Sequence, residues 1–308
     1  MRALLRHLHP TTEGEVEPLH QCRVATRRLR ELLPLCDAEL TTRAAARARK
    51  RVRHLGGALG AVRELDVALG LVDELERAGR AKPAASSRLR RRVREERERQ
   101  RERMRVRLKP AHLRKVAREV AEVLKAIGML DATDAWALVL AERLGERADR
   151  LRVSVAEAGP MYVSERVHEV RIAAKKLRYA LEVASETGEA DTSEAAARLK
   201  KIQDTLGRLH DIEILQGLLR SIDLLEHRDE PWAEELSALD RDLTEECRRL
   251  HGAFVAGQAE LVELGKVARR VASQMSSDHG ARGGRSRVLK MSLERVPEAP
   301  PTASSDRR

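Results

Sequence analysis

An eleven-residue stretch occurs twice in this chain, and its repetition constrains the fold more than any other feature. The first copy, HQCRVATRRLR, begins at His20, and the second, HEVRIAAKKLR, begins 148 positions later at His168. The copies align without a gap. Five positions are identical, and the substitutions include exchanges of Val for Ile and of Arg for Lys. Such a repeat indicates a chain built from two related halves.

Apolar residues recur every three or four positions through each copy, which is typical of an amphipathic helix. In the first copy they are Leu19, Cys22, Thr26, Leu29, Leu33 and Cys36; in the second they are Val167, Val170, Ala174, Leu177, Leu181 and Ala184. We therefore predict that both copies are helices with one buried stripe.

A cationic row lies next to that stripe, one position further along the sequence. It consists of His20, Arg23, Arg27 and Arg30 in the first copy and of His168, Arg171, Lys175 and Arg178 in the second. One Arg-rich row is usually a solvated helix face. Two rows in the same register, each led by a His, instead predict a groove between helices where cations converge on a bound anion.

A second, shorter motif is also duplicated. LGAVRELDV starts at Leu59 and LGRLHDIEI starts 147 positions later at Leu206. In the row beside its apolar residues, Arg53 and Arg63 correspond to Lys200 and His210. The shared glycine costs a helix about 1 kcal/mol relative to Ala, so it predicts a close helix approach or a helix end. The acids that follow are expected to have structural roles, either capping the next helix or holding basic side chains; they are Glu64, Asp66, Asp211 and Glu213.

The net charge restricts the class of partner. The formal charge is +11 and the isoelectric point is near 10.0, which favours a polyanion such as nucleic acid, an anionic membrane or a phosphate polymer. Aromatic residues make up only 2% of the chain. Because single-stranded nucleic acids are usually bound through aromatic stacking platforms, a partner without bases fits better.

Other sequence features set the compartment and the chemistry. The three cysteines, Cys22, Cys36 and Cys247, have neither disulfide-framework nor metal-ligand spacing, so we expect a reducing, cytoplasmic setting. We expect no signal peptide and no membrane span. We find no P-loop, GxGxxG, HExxH or GxSxG motif, and we predict no catalytic residues, no metal site and no cofactor.

Helical periodicity dominates the whole chain, and no convincing strand pattern is present. We predict an all-α protein of two internally duplicated four-helix bundles related by pseudo-twofold symmetry, over residues 1–130 and 131–275, with a linker at 128–133 and a disordered basic tail at 276–308. The predicted helices cover 16–37, a segment from 41, 67–80, a segment from 88 that Pro110 interrupts, 111–127, 135–158, 164–185, a segment carrying Lys200 and Lys201, 212–225, 231–254 and 259–275.

On these motifs the sequence resembles the CHAD family, the conserved-histidine α-helical domain. The resemblance rests on HQCRVATRRLR, HEVRIAAKKLRY and the paired LGAVRELDV and LGRLHDIEIL segments, and it extends over roughly residues 1–275. It implies an all-helical fold of two four-helix bundles that bind inorganic polyphosphate at a basic surface or channel, often at polyphosphate granules. Some members are fused to a triphosphate-tunnel domain, which is not visible here, so triphosphatase activity is not expected. The sequence departs from the family pattern at Glu64, where Asp is typical, and at His210, where Arg is usual.

We therefore expect a non-enzymatic polyphosphate-binding protein. The family resemblance and the cationic rows together assign its binding residues: His20, Arg23, Arg27, Arg28, Arg30, Arg53, Arg63, His168, Arg171, Lys175, Lys176, Arg178, Lys200 and His210. Clustered cations should oppose protonation of the histidines until a polyanion binds. One alternative is a nucleic-acid-associated protein that uses the basic run 88–107 and the tail. Another is an enzyme acting on phosphoanhydrides, which would need a divalent metal site.

Overall fold

A computed structural model describes residues 16–38, 43–127, 135–222 and 230–281, and these residues form helices and connecting turns without a β-strand. The predicted all-α class is therefore confirmed. Within the described ranges there are eight α-helices: α1 (Val16–Leu32), α2 (Arg43–Arg77), α3 (Pro83–Arg107), α4 (Pro110–Ile127), α5 (Ala135–Ala158), α6 (Ser164–Glu186), α7 (Ser193–Arg220) and α8 (Pro231–Ala281).

Proline and glycine set several helix boundaries where the sequence predicts them. Helix α1 ends at Leu32, because Pro34 lacks a backbone N–H and its ring clashes with the preceding turn. The chain then tightens into a 3₁₀ helix, Leu33–Ala38, so the α-helix predicted over 16–37 stops near Pro34, where the sequence predicts a kink or an end. Helix α5 ends before Gly159, whose φ of 59° is in the left-handed region that favours glycine.

Three predicted helix breaks are wrong. Helix α2 continues past Val67, α7 continues past Ile212, and α8 continues through Gly257. Long-range packing on both sides of these positions outweighs the low helix propensity of the glycines, which is only about 1 kcal/mol each. Helix α8 also extends six residues past Met275, so residues 276–281 of the predicted tail are helical, and the rest of that tail lies outside the described residues.

The buried apolar side chains form two clusters. The larger cluster includes residues from α1, the first part of α2, α5, α6 and the second part of α8. The smaller cluster joins the second part of α2, the start of α3, the end of α7 and the start of α8. The boundary between them falls between Val62 and Leu65 on α2 and between Leu209 and Ile212 on α7.

Helix pairing places the two repeated motifs side by side. Helix α1 packs on α2, and α6 packs on α7. The two pairs then meet through contacts of α2 with α7 and of α1 with α6. All four motif-bearing helices consequently surround one region of the molecule.

The division of the chain at residue 130 into two bundles stays a prediction. Each apolar cluster draws side chains from both sides of that position, so neither half buries its apolar surface on its own. The proposed linker at 128–133 lies outside the described residues. None of the described helices combines the length and the apolar character that crossing a membrane requires.

Candidate functional site

A cavity of about 530 Å³ lies between α1, α2, α6 and α7. We call it the interhelical cavity. Ten of the fourteen predicted binding residues line it: His20, Arg23, Arg27, Arg30, Arg63, His168, Arg171, Lys175, Lys176 and His210. Its lining also includes side chains that we had not predicted as binding residues, notably Thr26, Glu31, Glu64, Tyr179 and Asp211.

Lys175 lies among guanidinium groups in the middle of this lining. Burial, followed by the charges of Arg171, Arg23, Arg27 and Arg178, lowers the pKa of Lys175 from 10.5 to about 8. Bringing five cationic groups together is electrostatically unfavourable in the absence of an anion. The arrangement therefore provides a strong positive potential for an anionic ligand.

Tyr179 fixes the position of Arg27. The Arg27 Nη1 donates a hydrogen bond to the Tyr179 hydroxyl at 3.0 Å, and its guanidinium carbon lies 4.3 Å from the ring centroid. Arg178 stacks on the same ring at 4.7 Å. The tyrosine directly follows the second motif and lies four positions after Lys175, outside the apolar stripe, so its spacing could have placed it beside the cationic row.

The glycine of the shorter motif allows a close approach in one copy only. A Cβ atom at Gly60 would lie 3.2 Å from Arg23 Nη1, whereas one at Gly207 would meet nothing within 4 Å. Arg23 Nη1 also lies 3.4 Å from the Leu59 carbonyl oxygen, to which it donates a hydrogen bond. The Gly60 backbone thus leaves room for the Arg23 guanidinium, and neither glycine ends a helix.

His20, near the start of α1, and His168, near the start of α6, both line the interhelical cavity, as does His210 of α7. The rings of His168 and His210 are 4.9 Å apart between centroids. Burial is the main cause that lowers the pKa of both His20 and His168, and neighbouring cationic side chains lower it further. The direction agrees with our prediction, although desolvation contributes more than the cations do.

The four acidic residues of the shorter motif do not cap a new helix, because α2 and α7 continue through them. Asp66 accepts a hydrogen bond from Arg97 Nε at 2.6 Å. Glu213 accepts one from the Tyr162 hydroxyl at 2.8 Å. Glu64 and Asp211 instead line the interhelical cavity.

Four predicted residues lie outside the interhelical cavity. Arg28 forms an ion pair with Glu186 at 3.6 Å. Arg53 lines a separate cavity between α2, α3 and α4. Arg178 and Lys200 line a third, smaller one, where Arg178 donates a hydrogen bond to Gln203 at 2.9 Å. These four residues come from four different helices, α1, α2, α6 and α7, so each of these helices turns one predicted binding residue away from the interhelical cavity.

The basic run of α3 is extensively paired within the protein. Arg90 pairs with Asp73, Arg97 with Asp66, and Arg101 with Glu98, at distances between 2.6 and 3.0 Å. Of the five aromatic residues, all of which are described, only Tyr162 is exposed. The part of the chain that the structure describes contains no cluster of three His, Cys, Asp or Glu residues suited to a metal ion.

Comparison with known proteins agrees with this architecture. The model of the CHAD domain matches residues 1–220. Among solved structures, the crystal structure of the CHAD domain from the plant Ricinus communis superposes with a TM-score of 0.52 at 25% sequence identity, covering 88% of this chain and 86% of that one. PptA from Streptomyces chartreusis gives a TM-score of 0.48 at 20% identity, covering 89% of this chain and 94% of its own, a likeness too remote to bear on function. No curated protein is significantly similar to this chain. Because the domain model covers well over half of the sequence, this chain belongs to the CHAD domain family.

Proposed function

We propose that the interhelical cavity binds inorganic polyphosphate and does not transform it. The observation that carries the proposal is the position of Lys175 in the cavity lining, together with three of the four arginines whose charges act on it, Arg23, Arg27 and Arg171. A phosphate chain carries a negative charge on every unit, so it would neutralise several of these cations at once. The resemblance to polyphosphate-binding CHAD proteins supports this ligand over other polyanions.

The side chains of the cavity are suited to different parts of that task. Arg27 and Arg171 each present a planar guanidinium that can hold two phosphate oxygens. Lys175 adds a compact charge. His168 and His20 offer directional hydrogen bonds, and a bound polyanion would raise the depressed pKa of both imidazoles.

The nucleic-acid alternative is less well supported. Buried or half-buried positions remove Trp136, Trp232, Tyr179 and Phe254 as stacking platforms for bases. Many of the α3 arginines already have carboxylate partners, which reduces the charge available to a nucleic-acid backbone. Exposed arginines remain on that helix, so the alternative still requires a direct test.

We also propose that the protein acts in the cytoplasm at polyphosphate granules. The three cysteines are buried and none forms a disulfide, in keeping with a reducing compartment. The role at granules rests on the family resemblance. Binding of the protein to isolated polyphosphate granules, and its release from them by added salt, would test this association.

The decisive test is a titration of long-chain polyphosphate against a charge-reversed cavity variant, Arg27→Glu/Lys175→Glu. We expect affinity to fall by at least about a hundredfold, because each reversal replaces a charge-assisted contact with repulsion. The matched control is Arg94→Glu/Arg103→Glu, which changes the net charge equally at exposed positions on α3. Unchanged affinity in the cavity variant would refute the assignment.

The same titration separates the alternatives. If nucleic acid were the ligand, duplex or single-stranded DNA would displace polyphosphate at equal phosphate concentration, and the α3 control variant would lose binding. If the protein were an enzyme, incubation of polyphosphate with magnesium or manganese would release phosphate. We expect neither result.

A further inference from the structure

We propose that the histidine end of the interhelical cavity is a subsite for the terminal phosphate of a linear phosphate chain. We define this end by neighbouring residues of the lining: His20 with Arg63, His168 with His210, and Asp211 with Glu64. The inference rests on the proposed function and names the part of the ligand that this end recognises.

The first observation is that carboxylates line a cavity otherwise suited to anions. Asp211 belongs to the cavity lining beside His210, and Glu64 belongs to it beside Arg63. An internal phosphate of a chain is ionised and has only acceptor oxygens, so a neighbouring carboxylate repels it. Within the protein these carboxylates offset nearby cations, Glu64 that of Arg23 and Asp211 that of Arg171; toward the ligand they are favourable where it brings a hydrogen-bond donor.

A terminal phosphate can supply that donor. Its second ionisation occurs at about pH 6, as for phosphate monoesters. Near neutral pH, some terminal phosphates therefore carry a P–OH proton, which internal phosphates lack. Burial raises the pKa of Asp211, and the nearby Glu64 charge raises it further, against the opposing effects of Arg171 and His210. Asp211, which lines the cavity beside His210, is therefore the carboxyl that we assign to share this proton with the ligand.

The surroundings of His210 favour its Nε2 as a hydrogen-bond acceptor for the same P–OH group. Its Nδ1 lies 3.8 Å from Glu213 Oε2, and Tyr162 donates a hydrogen bond to the other Glu213 oxygen at 2.8 Å. A carboxylate on that side favours the tautomer with its proton on Nδ1, in which Nε2 is the acceptor for a hydrogen bond from P–OH. The His168 ring lies against the same imidazole, tilted by 45°, with 4.9 Å between the ring centroids.

The opposite end of the cavity has a different character. Arg30 and Lys176 line it, and the carboxylate of Glu31 there is engaged by Arg147 at 2.6 Å. That end therefore presents cations to fully ionised internal phosphates. The two ends together orient a linear chain with its terminus at the histidines.

The test compares linear tetrapolyphosphate with cyclic tetrametaphosphate, which has four internal phosphates and no terminus. The wild-type protein should prefer the linear ligand. Asp211→Asn and His210→Gln should each reduce that preference by about tenfold, the worth of one hydrogen bond to a charged group. The matched control Lys176→Gln, at the opposite end, should weaken both ligands by the same factor and leave the preference unchanged.

A second readout does not depend on affinity. The terminal and internal phosphorus nuclei of the linear ligand give separate resonances in ³¹P NMR. Between pH 6 and pH 8 the terminal resonance should show the larger shift on binding to the wild-type protein and a smaller one on binding to Asp211→Asn. Circular dichroism on every variant establishes that it is folded.

The outcomes separate the two proposals. A wild-type protein that binds long-chain polyphosphate but does not distinguish linear from cyclic ligand overturns the subsite and leaves the proposed function intact. A preference that survives in both variants, or that Lys176→Gln reduces equally, also overturns it. Absence of long-chain binding to the wild-type protein overturns the proposed function and the subsite together.

Discussion

Among single residues, Lys175 gives the clearest prediction, a pH dependence of polyphosphate binding. With a pKa near 8, its ammonium group is largely charged at pH 7 and largely neutral at pH 9. Polyphosphate affinity of the wild-type protein should therefore fall across this interval by about tenfold, the worth of one charge-assisted contact. Lys175→Arg keeps its charge throughout, so it should lose less affinity in the same titrations. Equal pH profiles for the two proteins would show that Lys175 does not titrate in the site.

The same group affects folding stability in the opposite direction. Because the folded-state pKa of Lys175 lies below its ordinary value of 10.5, the unfolded chain binds more protons between these two pH values. The cost of holding a buried ammonium is fully present below about pH 8 and disappears as the pH rises toward 10.5. Relative to Lys175→Met, the wild-type free energy of unfolding, measured in urea, should increase from pH 7.5 to pH 9.5.

Within the helices, two equivalent glycines separate an effect on helix stability from an effect on the binding site. Gly60 and Gly207 occupy equivalent places in α2 and α7, but only Gly60 lies against a cavity arginine, Arg23. Replacing a mid-helix glycine with alanine should stabilise the helix by up to about 1 kcal/mol. Gly207→Ala should show this gain with unchanged polyphosphate affinity. Gly60→Ala should displace the Arg23 guanidinium and weaken binding severalfold.

Urea unfolding and polyphosphate titration of both variants test this pair. Because the atom that a Gly60 methyl would meet is the tip of a flexible side chain, the fold itself should tolerate the change. An equal loss of affinity in both variants would contradict the role given to Gly60.

Helix existence could be predicted from the sequence more completely than helix continuity. The periodic apolar stripe identifies α1 and α6, and Gly159 marks the end of α5. The interruptions we expected within α2, α7 and α8 do not occur. Local propensity argues for a break at a glycine or an acidic pair, but apolar contacts with neighbouring helices on both sides keep these helices continuous, and a single sequence does not contain those contacts.

At the scale of the whole molecule, the duplicated motifs explain how the site is assembled. Helices α1 and α2 provide one set of cations, and α6 and α7 provide the corresponding set across the interhelical cavity. The periodicity placed these residues on the same row of their helices, which is why most of them share the cavity. It did not predict that Arg28 and Lys200 lie elsewhere, because the crossing of the helix pairs decides how far each row follows the cavity.

The sequence also did not predict the partners that orient the cations. Tyr179, which holds Arg27, comes from the opposite half of the chain, and Glu31, its counterpart in the first motif, pairs with Arg147. At this pair of equivalent positions, the two halves of the chain therefore make different contacts. They depend on tertiary geometry that neither spacing nor residue type specifies.

The salt dependence of binding shows whether the interhelical cavity holds the phosphate chain. Each neutralised phosphate releases counterions, which for single-stranded nucleic acids contributes ~0.7 to the slope of log association constant against log salt concentration. For long-chain polyphosphate, Arg27→Gln/Lys175→Gln should reduce the magnitude of that slope by about 1.5. Arg94→Gln/Arg103→Gln, which removes two exposed charges from α3, should leave it unchanged. A slope that falls in the α3 variant and stays constant in the cavity variant would contradict the account.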